Sequence, residues 1–125
     1  MDPRGQILIV DDDASIRATL AEVLDEEGYD VLQAADGREA LDLLEERPRR
    51  LPSAVILDLN MPVMDGCTCY REMRARGLGV PVVILSAVNA VRVAQDLGAT
   101  AAMNKPFDID RLVETVEALV SDARG

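Results

Sequence analysis

Five short apolar runs, each separated from the next by a segment with helical spacing, constrain this chain more than any other feature. The runs are ILIV (7–10), YDVLQA (29–34), AVILDL (54–59), VPVVILSA (80–87) and TAAMN (100–104). Near-continuous apolar strands of this length are buried on both faces, as in parallel sheets covered by helices. YDVLQA is more polar than its neighbours, which suggests an edge strand. After the first run, Ile16, Leu20, Val23 and Leu24 recur at i, i+4, i+7 and i+8. That spacing predicts an amphipathic helix from Ser15 to about Glu27, ended by Gly28. Asp36 is placed to cap a second helix, with Glu39 in the capping-box position, a buried stripe of Ala40, Leu41 and Leu44, and Pro48 beyond its end. MPVMDG reads as a turn punctuated by Pro62 and Gly66, followed by a helix to about Arg76. A short helix is predicted from about Asn89 to Leu97, stopped by Gly98. Asp108 caps a last helix whose stripe is Ile109, Leu112, Val113, Val116, Leu119 and Val120.

Repeated βα units of this kind imply a doubly wound α/β fold, with right-handed crossovers and helices on both faces of a parallel sheet. For five strands the expected arrangement is flavodoxin-like, in the order 2-1-3-4-5, with its switch point between strands 1 and 3. Ligands bind at the carboxyl ends of strands there. A chain of 125 residues fits one domain, taken as 1–125. The formal net charge of −10 argues against binding nucleic acid or an anionic membrane surface. No apolar stretch approaches the roughly 20 residues that span a bilayer. MDPRGQ carries no signal-peptide core, so a cytoplasmic location is expected. There is no histidine, which removes the usual imidazole base and most zinc and haem sites. Cys67 and Cys69 are too close in sequence for an unstrained disulfide. On a helix they point about 200° apart, so both are expected to be ordinary reduced thiols.

The predicted strand order gives the acidic residues a meaning. Asp11 and Asp12 end strand 1, Asp58 ends strand 3, Ser86 ends strand 4 and Lys105 ends strand 5, so all five converge on one edge of the sheet. Two carboxylates about 4 Å apart repel by roughly 4 kcal/mol at an effective dielectric of about 20, more than one lysine offsets among three of them. A hard divalent cation does offset it, and oxygen-only ligands suit Mg²⁺ or Mn²⁺. An ammonium and a hydroxyl beside such an ion match the oxygens of a phosphoryl group. Asp13 is read differently, as the N-cap of the first helix.

The motifs ILIVDDD, VILDLNMPVMDG, VVILSA and NKPF, in that order and over nearly the whole chain, resemble the receiver domains of two-component response regulators. The resemblance implies that Asp58 is the phosphoacceptor, taking its phosphoryl group from a sensor histidine kinase, a phosphotransfer protein or a small phosphodonor. It implies that Asp12 and Asp58 ligate Mg²⁺ directly, that the backbone carbonyl of Asn60 supplies a third ligand, and that Asp11 acts through a metal-bound water. Lys105 is expected to hold a phosphoryl oxygen, with a cis bond to Pro106, and Ser86 to donate to the phosphoryl group after shifting towards it. The result is a switch that assists its own phosphorylation and dephosphorylation, acting on an unassigned downstream protein as a monomer or weak homodimer.

The chain departs from the family pattern in two places. The position three before the lysine-proline, usually aromatic, is Ala102, so the usual aromatic reporter of the phosphoryl state is missing. The Ser86–Lys105 segment is also about three residues shorter than the pattern, so the fourth helix is expected to be short or displaced. Its Val88, Ala90, Val91 and Val93 either pack into the core or form a docking patch. Val88 and Asn60 flank the site, and an apolar Val88 is expected to restrict the water that hydrolyses the phosphoryl group. Competing readings are a phosphorylation-independent receiver-like scaffold, a receiver belonging to a longer regulator, and an aspartyl phosphatase of the haloacid dehalogenase type using the Asp11–Asp13 D-x-D spacing.

Overall fold

Parallel pairing of the apolar runs produces a five-stranded sheet in the order β2-β1-β3-β4-β5. The computed structural model describes residues 4–46 and 50–124; Pro48, expected beyond the second helix, lies outside them. The elements are β1 (Gln6–Val10), α1 (Ala14–Glu26), β2 (Asp30–Ala34), α2 (Gly37–Glu46), β3 (Ala54–Asp58), α3 (Gly66–Ala75), β4 (Val82–Ser86), α4 (Ala90–Leu97), β5 (Ala101–Asn104) and α5 (Ile109–Arg124). This is the flavodoxin-like arrangement expected from the sequence. β3 and β4 are buried along their whole length, whereas the more polar β2 forms an edge.

Side-chain alternation along the strands divides the core in two. Leu8, Val10, Val55, Leu57, Val82 and Ile84 face α2, α3 and α4. Ile7, Ile9, Ile56, Val83 and Leu85 face α1 and α5, meeting the expected stripe of Leu112, Val113, Val116, Leu119 and Val120. The caps fall where short acidic side chains stand before apolar periodicity. Asp13 Oδ1 accepts from the N–H groups of Ser15 and Ile16 at 2.9 and 3.2 Å. Asp36 Oδ1 accepts from Glu39 N–H at 2.8 Å, and Asp108 Oδ1 from Asp110 N–H at 2.8 Å. α4 is short, as expected, with eight residues. Its apolar residues split: Ala90 is buried and Val93 packs on the core, while Val91, like Val88 in the connection before the helix, is exposed.

Candidate functional site

The register brings four strand ends to one edge. Val10 pairs with Leu57, Asp58 with Leu85, and Ser86 with Asn104. Asp11 and Lys105 each stand one residue beyond their strand, so they flank Asp58 from either side of the sheet centre.

Asp11 is buried and held at several points. Its Oδ1 accepts from Asp13 N–H at 2.9 Å, and its main-chain carbonyl accepts from Arg17 Nη1 at 2.5 Å. Lys105 Nζ lies 3.3 Å from Asp11 Oδ2 and 3.1 Å from Asp58 Oδ1, bridging the two buried carboxylates. Asp12 is exposed, yet one oxygen from each of Asp11, Asp12 and Asp58 falls within 4.8 Å of the others. Asp58 Oδ1 also accepts from Asn60 N–H at 3.3 Å. Burial pushes the Asp58 carboxyl above its usual range; the Lys105 hydrogen bond opposes this and the Asp11 charge adds to it. Burial pulls the Lys105 ammonium down, but its bonds and charges with Asp58 and Asp11 outweigh this and leave it above its ordinary value.

Ser86 is differently occupied. Its hydroxyl donates to Val88 O at 2.9 Å and accepts from Val88 N–H at 3.3 Å. With Asn60, Thr68, Arg71 and Val88 it lines a cavity of about 560 Å³. The Lys105–Pro106 bond is cis. Asp13 caps α1 through its Oδ1, the role expected for it, and is not among the acids that converge on Asp58. Cys67 and Cys69 are free thiols, and burial holds Cys69 as a thiol by raising it to about 12.

Gly66 fixes how closely α3 approaches the site. Its N–H donates to Leu59 O at 3.0 Å, and a Cβ there would collide with Asp58 O and lie 2.7 Å from Leu59 Cα. Gly66→Ala is therefore expected to destabilise the protein by about 2 kcal/mol, because rigid backbone rather than a side chain must move. Chemical denaturation checks this; an unchanged midpoint would contradict the close approach.

Two features, one at the site and one in the exposed turn after Asn60, were not anticipated from the sequence. Arg17 carries no motif, although its place in the first turn of α1 lets it reach the β1–α1 connection. Val63 adopts φ 65° in the segment that carries Asn60, a conformation a β-branched residue gives no hint of.

Fold and site together define a class: a doubly wound domain that gathers carboxylates and one lysine over the β1–β3 switch point. The chain belongs to the response regulator receiver domain family, whose model matches residues 7–117. It is 42% identical to response regulator MprA of Mycolicibacterium vanbaalenii across 92% of this chain and 50% of that protein. It is 37% identical to sporulation initiation phosphotransferase F of Bacillus subtilis across 90% of both. Thus it spans about half the length of one relative and most of the other. Among solved structures, the receiver domain of Francisella response regulator 1452 superposes with a TM-score of 0.86 at 30% identity, covering 94% of this chain and 98% of that one. A CheY-like receiver from Methanospirillum hungatei gives 0.84 at 30% identity, covering 97% and 98%. Among the described residues no helix is long and apolar enough to cross a membrane.

Proposed function

We propose that residues 1–125 work as one receiver domain in which Asp58 accepts a phosphoryl group from a sensor histidine kinase or phosphotransfer protein. One observation carries this reading: Lys105 Nζ sits between Asp58 and Asp11, with Asp12 completing an acidic cluster. The cluster offers hard oxygen donors and no nitrogen or sulfur, which fits Mg²⁺ or Mn²⁺. Asp12 and Asp58 would hold the ion directly, with the Asn60 carbonyl, and Asp11 through water. When bound, the ion neutralises charge on the phosphoryl oxygens and on the three carboxylates.

An Asp58 carboxylate oxygen attacks phosphorus, forming a P–O bond as the donor's P–N bond breaks and its electron pair returns to the imidazole. Lys105 exchanges its contact with Asp58 for a phosphoryl oxygen. Ser86 donates its hydroxyl to another after leaving Val88 O. Such transfer depends on positioning and charge neutralisation, so the absent histidine is no obstacle: the donor supplies it. The acyl phosphate product then hydrolyses, which makes a timed switch and not a multiple-turnover enzyme. An apolar groove of about 500 Å³, lined by Ile16, Leu20, Phe107 and Ile109, opens beside Lys105 and gives the phosphodonor protein a surface next to the reacting oxygen. The domain acts as a monomer or weak homodimer towards a downstream protein.

Incubation with acetyl phosphate and Mg²⁺ tests the reading. The expected result is a mass gain of one phosphoryl group, lost on chelation of the metal and mapping to the peptide that contains Asp58. No gain, or a gain that maps to Asp11, would overturn it.

A further inference from the structure

The connection between β4 and α4, residues 87–89, is tied at both ends to consecutive residues of β5 and its exit. Lys105 N–H donates to Ser86 O at 2.7 Å. Asn104 Oδ1 accepts from Ala90 N–H at 2.9 Å. Asn89, at the N-cap position, sits at φ 54° and makes no side-chain cap, so the first N–H of α4 is satisfied from the neighbouring strand. Between these ties, both hydrogen bonds of the Ser86 hydroxyl go to Val88.

Ala102 and Asn104 are two apart on β5 and therefore face the same side of the sheet. Ala102 packs on the core face that also holds Ala94 of α4, but it has no bulk with which to follow the site. Asn104 accepts from the first N–H of α4 and immediately precedes the lysine that bridges the carboxylates.

We propose that Asn104 is a positioning residue for Ser86. By pinning the start of α4 to β5 it fixes the 86–89 connection with the Ser86 hydroxyl engaged on Val88. This rests on the reading of Asp58 as phosphoacceptor. To reach a phosphoryl oxygen, Ser86 must release Val88 O, and the Asn104 tie sets how readily the connection yields. Val88, 67% exposed, stands on the yielding connection, and Val91, 55% exposed, on the first turn of α4 just after it; together they display the change as apolar surface. The link from site to α4 thus runs two residues along β5 from where the aromatic is missing.

Amide exchange at Ala90, measured by NMR without phosphodonor, tests the tie. Labelling rates with acetyl phosphate and Mg²⁺ test its consequence, in wild type, Asn104→Ala, Ser86→Ala and the double variant. Asn104→Ala is expected to speed Ala90 exchange about tenfold. It should raise the labelling rate about threefold, because less must be broken for Ser86 to turn. That rate effect should vanish in the Ser86→Ala background, as coupled residues require. Asn104→Asp keeps the acceptor oxygen and should retain slow exchange. Slow exchange in Asn104→Ala, fast exchange in Asn104→Asp, an unchanged labelling rate, or the same rate effect with and without Ser86 would each overturn the proposal. A wild-type protein that takes no phosphoryl group overturns the phosphoacceptor reading instead, and is told apart because Ala90 exchange needs no phosphodonor.

Discussion

Asp58→Asn is expected to abolish the phosphoryl mass gain completely and, in metal-free protein at neutral pH, to raise the melting temperature. Loss of labelling follows because the amide oxygen is not a competent nucleophile at phosphorus. The gain in stability follows from the direction in which Asp58 is shifted. Its carboxyl lies above the usual range because it is buried and faces the Asp11 charge, despite the Lys105 bond. A carboxyl raised by folding binds its proton more tightly in the native state, so its stabilising contribution is present at low pH and lost as pH rises through the native value. At neutral pH the ionised Asp58 is therefore a net cost. Asparagine removes the charge and keeps an oxygen that can accept from Lys105 and from Asn60 N–H. The gain is about 1 kcal/mol, or roughly 4 °C. It should shrink as pH falls through the raised native value of Asp58 and vanish below the ordinary aspartate value of about 3.9, where the carboxyl is protonated folded and unfolded alike. Mg²⁺ should reverse the order by stabilising wild type more than the variant, which lacks one of the proposed ligands. Thermal melts across pH, with and without Mg²⁺, check all three signs. A variant that melts below wild type at neutral pH without metal would refute the assignment of Asp58 as a strained carboxylate.

The strand-end residues of this site were legible in the sequence because the strands are. Buried parallel strands carry near-continuous apolar runs, and the residue where each run stops marks the carboxyl edge. Asp11, Asp58, Ser86 and Lys105 all stand at such stops. Asp13, Asp36 and Asp108 were legible as caps for a local reason: each precedes its own helix and reaches an N–H two or three residues on. What stayed hidden depends on side-chain direction across elements. Ser86 was expected beside the phosphoacceptor, and the structure shows its hydroxyl spent on Val88. Asn89 stands at the start of the predicted fourth helix, but with a left-handed backbone it makes no side-chain cap, and the first N–H of α4 goes instead to Asn104, fifteen positions along the chain and adjacent only through the β4–β5 register. The Arg17 bond to the Asp11 carbonyl is of the same kind, set by how a helix rises from its strand and by no residue pattern.

Lys105→Ala should separate the two duties of the lysine, with opposite signs on metal binding and on chemistry. The ammonium is above its ordinary value, so its contribution to stability is fully present at neutral pH and is lost only as pH rises through that value. Removing it leaves Asp11 and Asp58 buried, close together and without their shared cation. The metal-free variant is expected to lose about 3 kcal/mol, the scale of breaking a buried ion pair from one side. Mg²⁺ should recover most of that loss, since a divalent ion supplies the missing counter-charge to the same oxygens. Its affinity should rise about tenfold, because the competing ammonium is gone. Phosphoryl transfer should nevertheless slow by about 10² to 10³, because a fixed positive charge no longer meets the transferring oxygens. Calorimetric Mg²⁺ titration and labelling rates at saturating metal measure the two halves independently. Weaker Mg²⁺ binding in the variant would mean that Lys105 orders the carboxylates for the metal and does not compete with it, and unaltered labelling at saturating Mg²⁺ would remove Lys105 from the transfer step.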